Sequence, residues 1–424
     1  MAMDISLNAE TEIRSGLTER ILIVLIIISI YFEANLPFIG SASTPFVLFT
    51  LTLAYLLARR LNTFIRMFSG KFFIASMVFA LVCVFMETMH PSARYDIIFR
   101  YVNMALGIFC IAILCRDRFS IDLAMMTFII ASSVQSVIMI SELSGILHTS
   151  TAVGLYDATR ARIIAAEELV LKGNLNEISY FSGIVAMIGI VWIYYEKSRL
   201  RRFLLVLLTL PSILGVFFPA SRTGALIFFI ATLVFIIKSG INMRKWLVPL
   251  SLLCIVLFFA VPAVVWERLA SMVRISELQE VDSRSRILAG IVNNVHQFWL
   301  TGIGSGNYWE GWAVSSGITN RFTTDEAMAA HNAFLQVWIY WGLPGLTAFL
   351  FLIWVFYSAV DKKIKGDRQK SALYVFVLMI PVIFLFYHSF YHKSFSIGLG
   401  MVLGARFWQI SGLNNNSLKA DESK

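Results

Sequence analysis

Charged residues are scarce in this sequence. Asp, Glu, Lys and Arg make up 14% of its 424 residues, whereas hydrophobic residues make up 58%, well above the roughly half that is usual in a soluble domain. The mean hydropathy is +0.75. A chain with so few charges cannot cover a water-facing surface, so the composition excludes a soluble protein and indicates an integral membrane protein.

Cysteine is also rare, and its placement argues against a metal site. The four cysteines all fall within apolar stretches, and none has the paired spacing of metal ligands; they are Cys83, Cys110, Cys115 and Cys254. They are expected to be small buried hydrophobic residues. No metal and no cofactor are therefore predicted.

Acidic residues are fewer than basic ones, 26 against 35, and the formal net charge is +9. A basic chain can bind nucleic acid, but here Lys and Arg alternate with apolar runs and never form one continuous face. Nucleic acid is therefore not an expected partner. The positive excess must lie in short loops between membrane spans, where it indicates orientation.

Apolar runs of about 20 residues, long enough to cross the hydrocarbon core, recur along the whole chain. They begin near Ile21, Pro45, Phe72, Ile97, Ile121, Ile178, Phe203, Thr223, Trp246, Asn332, Ala372 and Phe395. The sequence therefore predicts an all-α, polytopic integral membrane protein with about twelve transmembrane helices.

Basic residues gather in every second connection between these runs. They are Arg59, Arg60, Arg66 and Lys71; Arg116 and Arg118; Lys197, Arg199, Arg201 and Arg202; Lys238, Arg244 and Lys245; and Lys362, Lys363, Lys365, Arg368 and Lys370. The positive-inside rule places these loops and both termini in the cytoplasm. No small-residue cleavage site follows the first apolar run, so the N-terminal segment is expected to be retained.

Two of the opposite, extracytoplasmic connections are long, residues 141–177 and 264–330. Loops beyond about 15 residues are usually lids or binding sites, and the second has helical patterning of its own. The predicted organisation is transmembrane helices 1–9 over 1–263, an external subdomain of short helices over 264–330, transmembrane helices 10–12 over 331–411, and a cytoplasmic tail over 412–424. Gly302, Gly304 and Gly306 are expected to mark turns and close backbone approach.

Arg222 stands at the outer mouth of an apolar helical hairpin, between Ser221 and Thr223. A charge at that depth is expensive unless it is paired or serves a ligand. One interpretation is an interfacial arginine that reaches the lipid head groups. The other is an anion site, because Arg222 lies on the first turn of a helix whose dipole and flanking hydroxyl groups favour negative charge.

Further arginines lie in the two long external loops. Arg284 and Arg286 come at the start of a predicted helix that leads into the glycine-rich turn, where two cations oppose the helix dipole. They are either a solvated pair or part of an anion site. Arg160 and Arg162 in the first long loop raise the same question with a weaker signal.

His331 opens the tenth predicted span, immediately before Asn332, at the level of Arg222. A neutral imidazole there can take up a proton near neutral pH, which few side chains can do. It is either an interfacial polar residue or a general base. His388 and His392 are one helical turn apart, but a short external turn explains them equally well.

Several external arginines, one well-placed histidine and few carboxylates do not suit cation transport. Arginine forks bind phosphate oxygens in bidentate geometry, and a lipid diphosphate would present its head group at this depth. Paired guanidinium groups can stabilise a departing diphosphate without a metal. The pattern therefore favours a large lipid-linked anion as ligand.

With these residues, the sequence resembles the superfamily of O-antigen ligases and O-antigen polymerases, which assemble bacterial envelope polysaccharides. Three stretches carry the resemblance in the family's order: Ser221-Arg222-Thr223-Gly224, then Arg286 leading a helix into Gly302-Ile303-Gly304-Ser305-Gly306, then His331-Asn332 with Gly342-Leu343-Pro344-Gly345 downstream. Many members read His-x-His-Asn, and here the earlier histidine is replaced by Ala329.

The resemblance implies a multi-pass protein of the bacterial inner membrane with a periplasmic active site. It implies inverting, metal-independent transfer of a glycan from undecaprenyl diphosphate to a hydroxyl acceptor. Arg222 and Arg286 would bind the diphosphate, with Arg284 nearby and Arg162, or else Arg160, completing the cationic ring. His331 would deprotonate the acceptor hydroxyl.

Three acceptors remain open under this resemblance: the lipid A core for a ligase, another lipid-linked glycan for an O-antigen or exopolysaccharide polymerase, and a protein hydroxyl. From a different class, a transporter of lipid-linked glycans would place charges along a central path and show inverted repeats. The charges here cluster on one face and no such repeat is seen, so the transferase is favoured.

Overall fold

A computed structural model gives the fold of this chain. It describes residues 16–37, 43–68, 70–143, 175–240, 251, 255–261, 266, 283–319, 326–360 and 366–421, without the side chains of residues 34, 64, 66–68, 283, 284 and 408–421.

The described chain is helical, with the main helices in the following order. They are α1 (Leu17–Tyr31), α2 (Thr44–Arg59), α3 (Leu61–Phe68), α4 (Lys71–Thr88), α5 (Asp96–Leu114), α6 (Arg118–Leu143), α7 (Leu175–Tyr195), α8 (Arg199–Phe217), α9 (Arg222–Ser239), α10 (Ser283–Asn293), α11 (Ala333–Ala359), α12 (Arg368–Phe384) and α13 (Ser394–Asp421). Short helical turns over 295–298, 305–307 and 313–315 link α10 to α11. Within the described ranges the only β pairing is an isolated bridge between Thr319 and Ala327.

Seven of these helices, α4 to α9 and α11, are long and apolar enough to cross a membrane. The shorter helix α2 and the Ser394–Phe407 part of α13 are also apolar. The prediction of an all-helical polytopic membrane protein is confirmed, while the count of twelve spans stays a prediction. The apolar run near Trp246 falls largely outside the described residues, and α13 runs on to Asp421, through most of the predicted tail.

Helix α7 lies at the centre of one half of the bundle, where it packs against α6, α8, α9 and α12. Glycines allow these helices to approach closely. A Cβ atom at Gly189 of α7 would lie 2.4 Å from Thr209 of α8, and one at Gly215 of α8 would lie 2.3 Å from the Ser136 hydroxyl of α6. Because lipid is as apolar as the helix surfaces, such small-residue contacts are a main source of helix association in membranes.

The bundle has a basic end, where loops rich in Lys and Arg join the helices. There the buried Glu19 of α1 accepts hydrogen bonds from Arg60 Nε at 2.9 Å and from Arg116 Nη2 at 2.9 Å. Arg368 of α12 binds Asp122 of α6. These ion pairs tie distant helices together at the end that the charge pattern predicts to be cytoplasmic.

The opposite end, which we call the site end, is where α4, α6, α8 and α12 finish and α5, α7, α9 and α11 begin. The short helices over 283–319 lie at this end, because they contact the end of α4 and the first half of α11. All the described residues that the sequence proposes for a site are therefore on one side of the bundle.

Candidate active site

Arg222 begins α9 after a tight turn. Ser221 caps the helix, since its Oγ accepts a hydrogen bond from Gly224 N at 3.3 Å. The preceding Ala220 has a positive φ of 52° and its N–H donates to Phe217 O at 2.8 Å. This left-handed residue reverses the chain directly between α8 and α9, so that the half-buried Arg222 side chain lies at the mouth of the hairpin.

Contact with α7 fixes the depth of Arg222. A Cβ atom at Gly224 would lie 1.8 Å from Ser179 Oγ, so α9 touches α7 at this point. Ser179 Oγ in turn donates a hydrogen bond to Val216 O of α8 at 2.7 Å. Arg222 and Glu177 each lie two residues before this crossing on helices that run in the same direction, which places both at the site end.

Arg286 lies on α10, with its side chain exposed. The opposite face of α10 is buried: Ile287 and Ile291 are 1% and 2% exposed, and a Cβ atom at Gly290 would lie 2.5 Å from Ser316 O. The helix is thus held against the turn at 316–318. Ile318 O from that turn accepts a hydrogen bond from Met328 N at 3.0 Å, three residues before His331.

The remaining predicted cations cannot be located in the same way. Arg284 is on the first turn of α10, but its side chain lies outside the described part of the structure. Arg160 and Arg162 lie outside the described residues altogether. Among the residues that are described, no carboxylate forms an ion pair with Arg222 or Arg286.

The glycine-rich turn meets a break in α11. The helix is interrupted at Trp341 and at Gly342, which has φ 61° and ψ −160°. Pro344 has no N–H to donate to Tyr340 O four residues earlier, and Gly304 N donates to that carbonyl instead, at 2.9 Å. Ile303 N donates to the neighbouring Ile339 O at 2.8 Å. A broken membrane helix needs such replacement donors.

Only glycine fits at the closest point of this contact. A Cβ atom at Gly302 would lie 2.3 Å from Tyr340 O, and one at Gly342 would lie 2.2 Å from Leu300 O. Both residues also have positive φ, as does Gly304. The prediction that these glycines serve turns and close backbone approach is confirmed.

A buried carboxylate, which sequence reasoning missed, holds the turn from the other side. Glu87, at the end of α4, is 0% exposed. Its two oxygens accept hydrogen bonds from five donors: Arg94 N, Ser305 N, Ser305 Oγ, Gly306 N and Trp341 Nε1, at 2.8 to 3.2 Å. An acidic residue at the end of an apolar run is the signal that could have found it.

His331 lies at the start of α11 in a strained backbone conformation. Its φ is 52°, in the left-handed region that non-glycine residues seldom adopt. Hydrogen bonds hold the chain on both sides: Ala330 N donates to Gln336 Oε1 at 2.7 Å, and Asn332 Oδ1 accepts from Leu335 N at 3.0 Å. Strain of this kind, about 1–3 kcal/mol, is often found at functional sites.

A second imidazole lies beside His331. The ring centroids of His331 and His388 are 5.8 Å apart, with the planes at 89°. His388 belongs to the turn between α12 and α13, together with Tyr387 and His392. Burial lowers the pKa of His388, and the nearby Glu177 carboxylate opposes this shift. Spacing along the sequence indicated only a turn here and gave no sign of contact with His331.

This arrangement can bind an anion and move a proton. Arg222 and Arg286 offer guanidinium groups without a described carboxylate partner, and His331 offers a ring nitrogen on a rigid backbone. Among the described residues no three His, Cys, Asp or Glu side chains come together as metal ligands. The geometry thus brings Arg222, Glu177, His388 and His331 to one end of the bundle, with α10 linked to His331 through residues 316–318.

Comparison with known families gives a match for the central part of the chain. Residues 205–350, about a third of the sequence, match the family described as O-antigen ligase. This segment contains Arg222, Arg286, the glycine-rich turn and His331, but neither Glu87, Glu177 nor His388. A search of curated proteins found no match. The family indicates an enzyme of the ligase or polymerase type that acts on lipid-linked glycans. Over residues 205–350 the match supports the resemblance of this sequence to the O-antigen ligase superfamily.

Proposed function

We propose that this protein transfers a glycan from undecaprenyl diphosphate to a hydroxyl group of the lipid A core, as an O-antigen ligase of the bacterial inner membrane. The observation that supports the proposal is that the half-buried Arg222, with no described carboxylate partner, and the strained His331 lie at the same end of an apolar bundle. A cation at that depth is costly without an anionic partner, and a lipid diphosphate supplies one.

The donor diphosphate is bound by Arg222 and Arg286, with Arg284 and Arg162 as further cations. The N-terminal end of α9 adds its backbone N–H groups and a positive dipole end beside Arg222. As the glycosidic bond breaks, negative charge grows on the diphosphate oxygen. Fixed guanidinium groups stabilise that charge more than they stabilise the ground state, which lowers the barrier.

His331 acts as the general base. Its neutral ring nitrogen takes the proton of the acceptor hydroxyl while that oxygen forms a bond to the anomeric carbon. The bond from this carbon to the diphosphate oxygen breaks, and its electron pair leaves with the diphosphate. Attack from the side opposite the leaving group inverts the anomeric centre. No metal or cofactor takes part.

A polymerase is the second candidate. It would use the same donor chemistry and the same residues, with another lipid-linked repeat unit as acceptor in place of the lipid A core. The short helical turns over 295–298, 305–307 and 313–315 lie between Arg286 and His331 along the chain, and we assign the acceptor surface to them. The two functions differ in product and not in the site.

Both proposals require a defined orientation: the site end faces the periplasm, and the basic end with both termini faces the cytoplasm. The alternation of basic loops supports this orientation. Reporter fusions after residues 60 and 360 should be active only as cytoplasmic reporters, and fusions after residues 92 and 316 only as periplasmic ones. The opposite pattern would overturn the orientation and, with it, the donor side.

The test is glycan transfer in a bacterial host that lacks its own ligase and polymerase, at equal membrane abundance of each variant. Wild type should restore capped lipopolysaccharide if it is a ligase, or a ladder of long chains if it is a polymerase. Arg222→Gln, Arg286→Gln and His331→Ala should each reduce transfer by about 100-fold or more. Arg222→Lys keeps the positive charge but loses the bidentate guanidinium geometry, so it should retain part of the activity.

Arg94→Gln is the matched control. Arg94 is an exposed cation of the same end whose Nε lies 3.6 Å from Asp96 in a solvent-exposed pair, so its loss should leave transfer unchanged. Removal of divalent metals by a chelator should also leave it unchanged in isolated membranes. If the Arg222, Arg286 and His331 variants transfer glycan as well as wild type does, the transferase proposal fails and a transporter becomes the better explanation.

A further inference from the structure

Four side chains form a compact polar group behind His331, which we call the His388 cluster: Glu177 at the start of α7, and Tyr387, His388 and His392 in the turn before α13. It lies outside the segment that matches the O-antigen ligase family. Glu177 accepts a hydrogen bond from Tyr387 Oη at 2.7 Å, and its other oxygen lies 3.5 Å from His392 Nε2.

The orientation of His392 is fixed by contacts on both edges and one face of its ring. Ser394 N donates to His392 Nδ1 at 3.3 Å, which leaves the proton on Nε2 facing the Glu177 carboxylate. Phe181 of α7 stacks on the ring at a centroid distance of 4.8 Å. The carboxylate is therefore held in place by a tyrosine and a histidine, as the orienting acid is in many catalytic groups.

His388 contacts both His331 and Tyr387, the tyrosine that is bound to Glu177. Its ring is 5.4 Å from that of Tyr387 and 5.8 Å from that of His331, measured between centroids. Its Nδ1 is buried, and no group in the described part of the chain forms a hydrogen bond to it. A buried ring nitrogen without a partner is unfavourable, and such a group in a native protein often serves a ligand or a reaction step.

We propose that His388 is a positioning residue for the general base, and that Glu177 supplies the negative charge that compensates His331 when it becomes an imidazolium. This inference rests on the proposed function. When the acceptor hydroxyl gives its proton to His331, positive charge appears next to His388. The neutral His388 ring packs perpendicular to the His331 ring and does not repel the imidazolium. The nearby Glu177 carboxylate stabilises the positive charge of that imidazolium.

Other charged and titratable groups near the cluster are already engaged. Tyr391 follows in the same turn, with the Arg100 guanidinium of α5 at 5.9 Å from its ring centroid. Asp96 of α5 pairs with Arg94 in solvent, and Lys393 is bound to Glu33. The Glu177 charge acts on His388, whose ring lies against that of His331.

The experiment measures transfer in isolated membranes against pH, with the host's undecaprenyl-diphosphate-linked O-antigen as donor. His388→Asn should lower kcat by about 10- to 100-fold with little change in KM, because the acceptor and donor sites stay intact. Glu177→Gln keeps an acceptor for Tyr387 but removes the charge. It should therefore move the acid limb of the kcat/KM profile to lower pH, by about half a unit or more.

Tyr387→Phe is the matched control, because it removes one hydrogen bond to Glu177 and leaves the charge and the ring. It should shift the acid limb less than Glu177→Gln does. If His388→Asn proves unstable, its rate is divided by the amount of folded protein, measured from the monodisperse peak in size-exclusion chromatography. As a second measurement, added imidazole should restore activity to His388→Ala. A merely structural role would show neither the imidazole rescue nor the pH shift.

Wild type and His331→Ala, run in parallel, separate the two ideas. If wild type transfers glycan and His331→Ala does not, the proposed function stands. In that case, this inference would be overturned, without the proposed function, by two results together: a wild-type kcat in His388→Asn and an unchanged acid limb of the pH profile in Glu177→Gln. If wild type itself shows no transfer, or His331→Ala transfers normally, the proposed function and the inference fail together.

Discussion

Substitution of Glu87 should reduce the stability of the fold more than any other single substitution at the site end. Five donors from three separate parts of the chain converge on it, and it is 0% exposed. Leaving a buried hydrogen-bond donor without its acceptor lowers the free energy of unfolding by about 1–3 kcal/mol. Removing one partner of a buried charged group typically lowers it by about 3–5 kcal/mol in total. We expect Glu87→Ala to destabilise the fold by about 4 kcal/mol.

Glu87→Gln gives a sharper test, because an amide keeps the volume and one acceptor oxygen. Glu87 Oε1 accepts from Arg94 N, Ser305 N, Ser305 Oγ and Gly306 N, whereas Oε2 faces Trp341 Nε1 at 2.8 Å and also accepts from Ser305 N. The glutamine oxygen should take the side with more donors, which points its NH2 group at the indole N–H. Two donors that face each other should cost about 2 kcal/mol.

A double-mutant cycle with Trp341→Phe isolates this term. Trp341→Phe removes the indole N–H, so Glu87→Gln should cost at least about 1 kcal/mol less in that background than in wild type. The readout is the midpoint of thermal unfolding in detergent, followed by the monodisperse peak that survives heating. An equal cost of Glu87→Gln in both backgrounds, or no cost in either, would refute the assigned hydrogen-bond network.

Two further predictions use matched pairs of variants. Gly302→Ala should unfold the site end or abolish transfer, because the added Cβ atom would lie 2.3 Å from Tyr340 O and the backbone would also be strained at φ 74°. Gly317 has the same φ with nothing within 4 Å, so Gly317→Ala should reduce stability by only about 1 kcal/mol. Equal melting temperatures of the two variants would contradict the close contact. Glu19→Gln should cost about 3–5 kcal/mol, since it leaves two guanidinium groups at the basic end without their buried carboxylate. The exposed Asp96→Asn should change stability by less than about 0.5 kcal/mol, and a comparable loss in both variants would show that burial does not set the energy.

The positions of the helices could be predicted because a membrane span is a local property. Each apolar run of sufficient length forms a helix regardless of its neighbours, since unpaired backbone groups are too costly in lipid. The close backbone approach at Gly302 was also predicted, because glycines at alternate positions indicate turns, but the sequence did not indicate that its partner is the broken helix at Gly342. The family match over 205–350 confirmed the resemblance that the arginine and histidine stretches suggested.

The number of spans was harder to fix from sequence. An apolar run reports that a helix is buried in lipid or protein, but it does not distinguish a full crossing from a shorter helix such as α2. Seven helices meet the length and hydropathy of a span in the described structure, and the remainder of the twelve stay predictions.

The sequence by itself determined the solvent, the secondary structure and the kind of chemistry: a lipid-embedded helical bundle with arginines and a histidine in its longer loops. Each of these follows from composition or from residues close together in the chain. Only the tertiary structure decided that Glu87 binds Ser305, 218 residues away, and that His388 lies against His331. The order of hydrophobic and polar residues sets which face of a helix is polar but not which other helix meets it, and that choice depends on side-chain packing across the whole bundle.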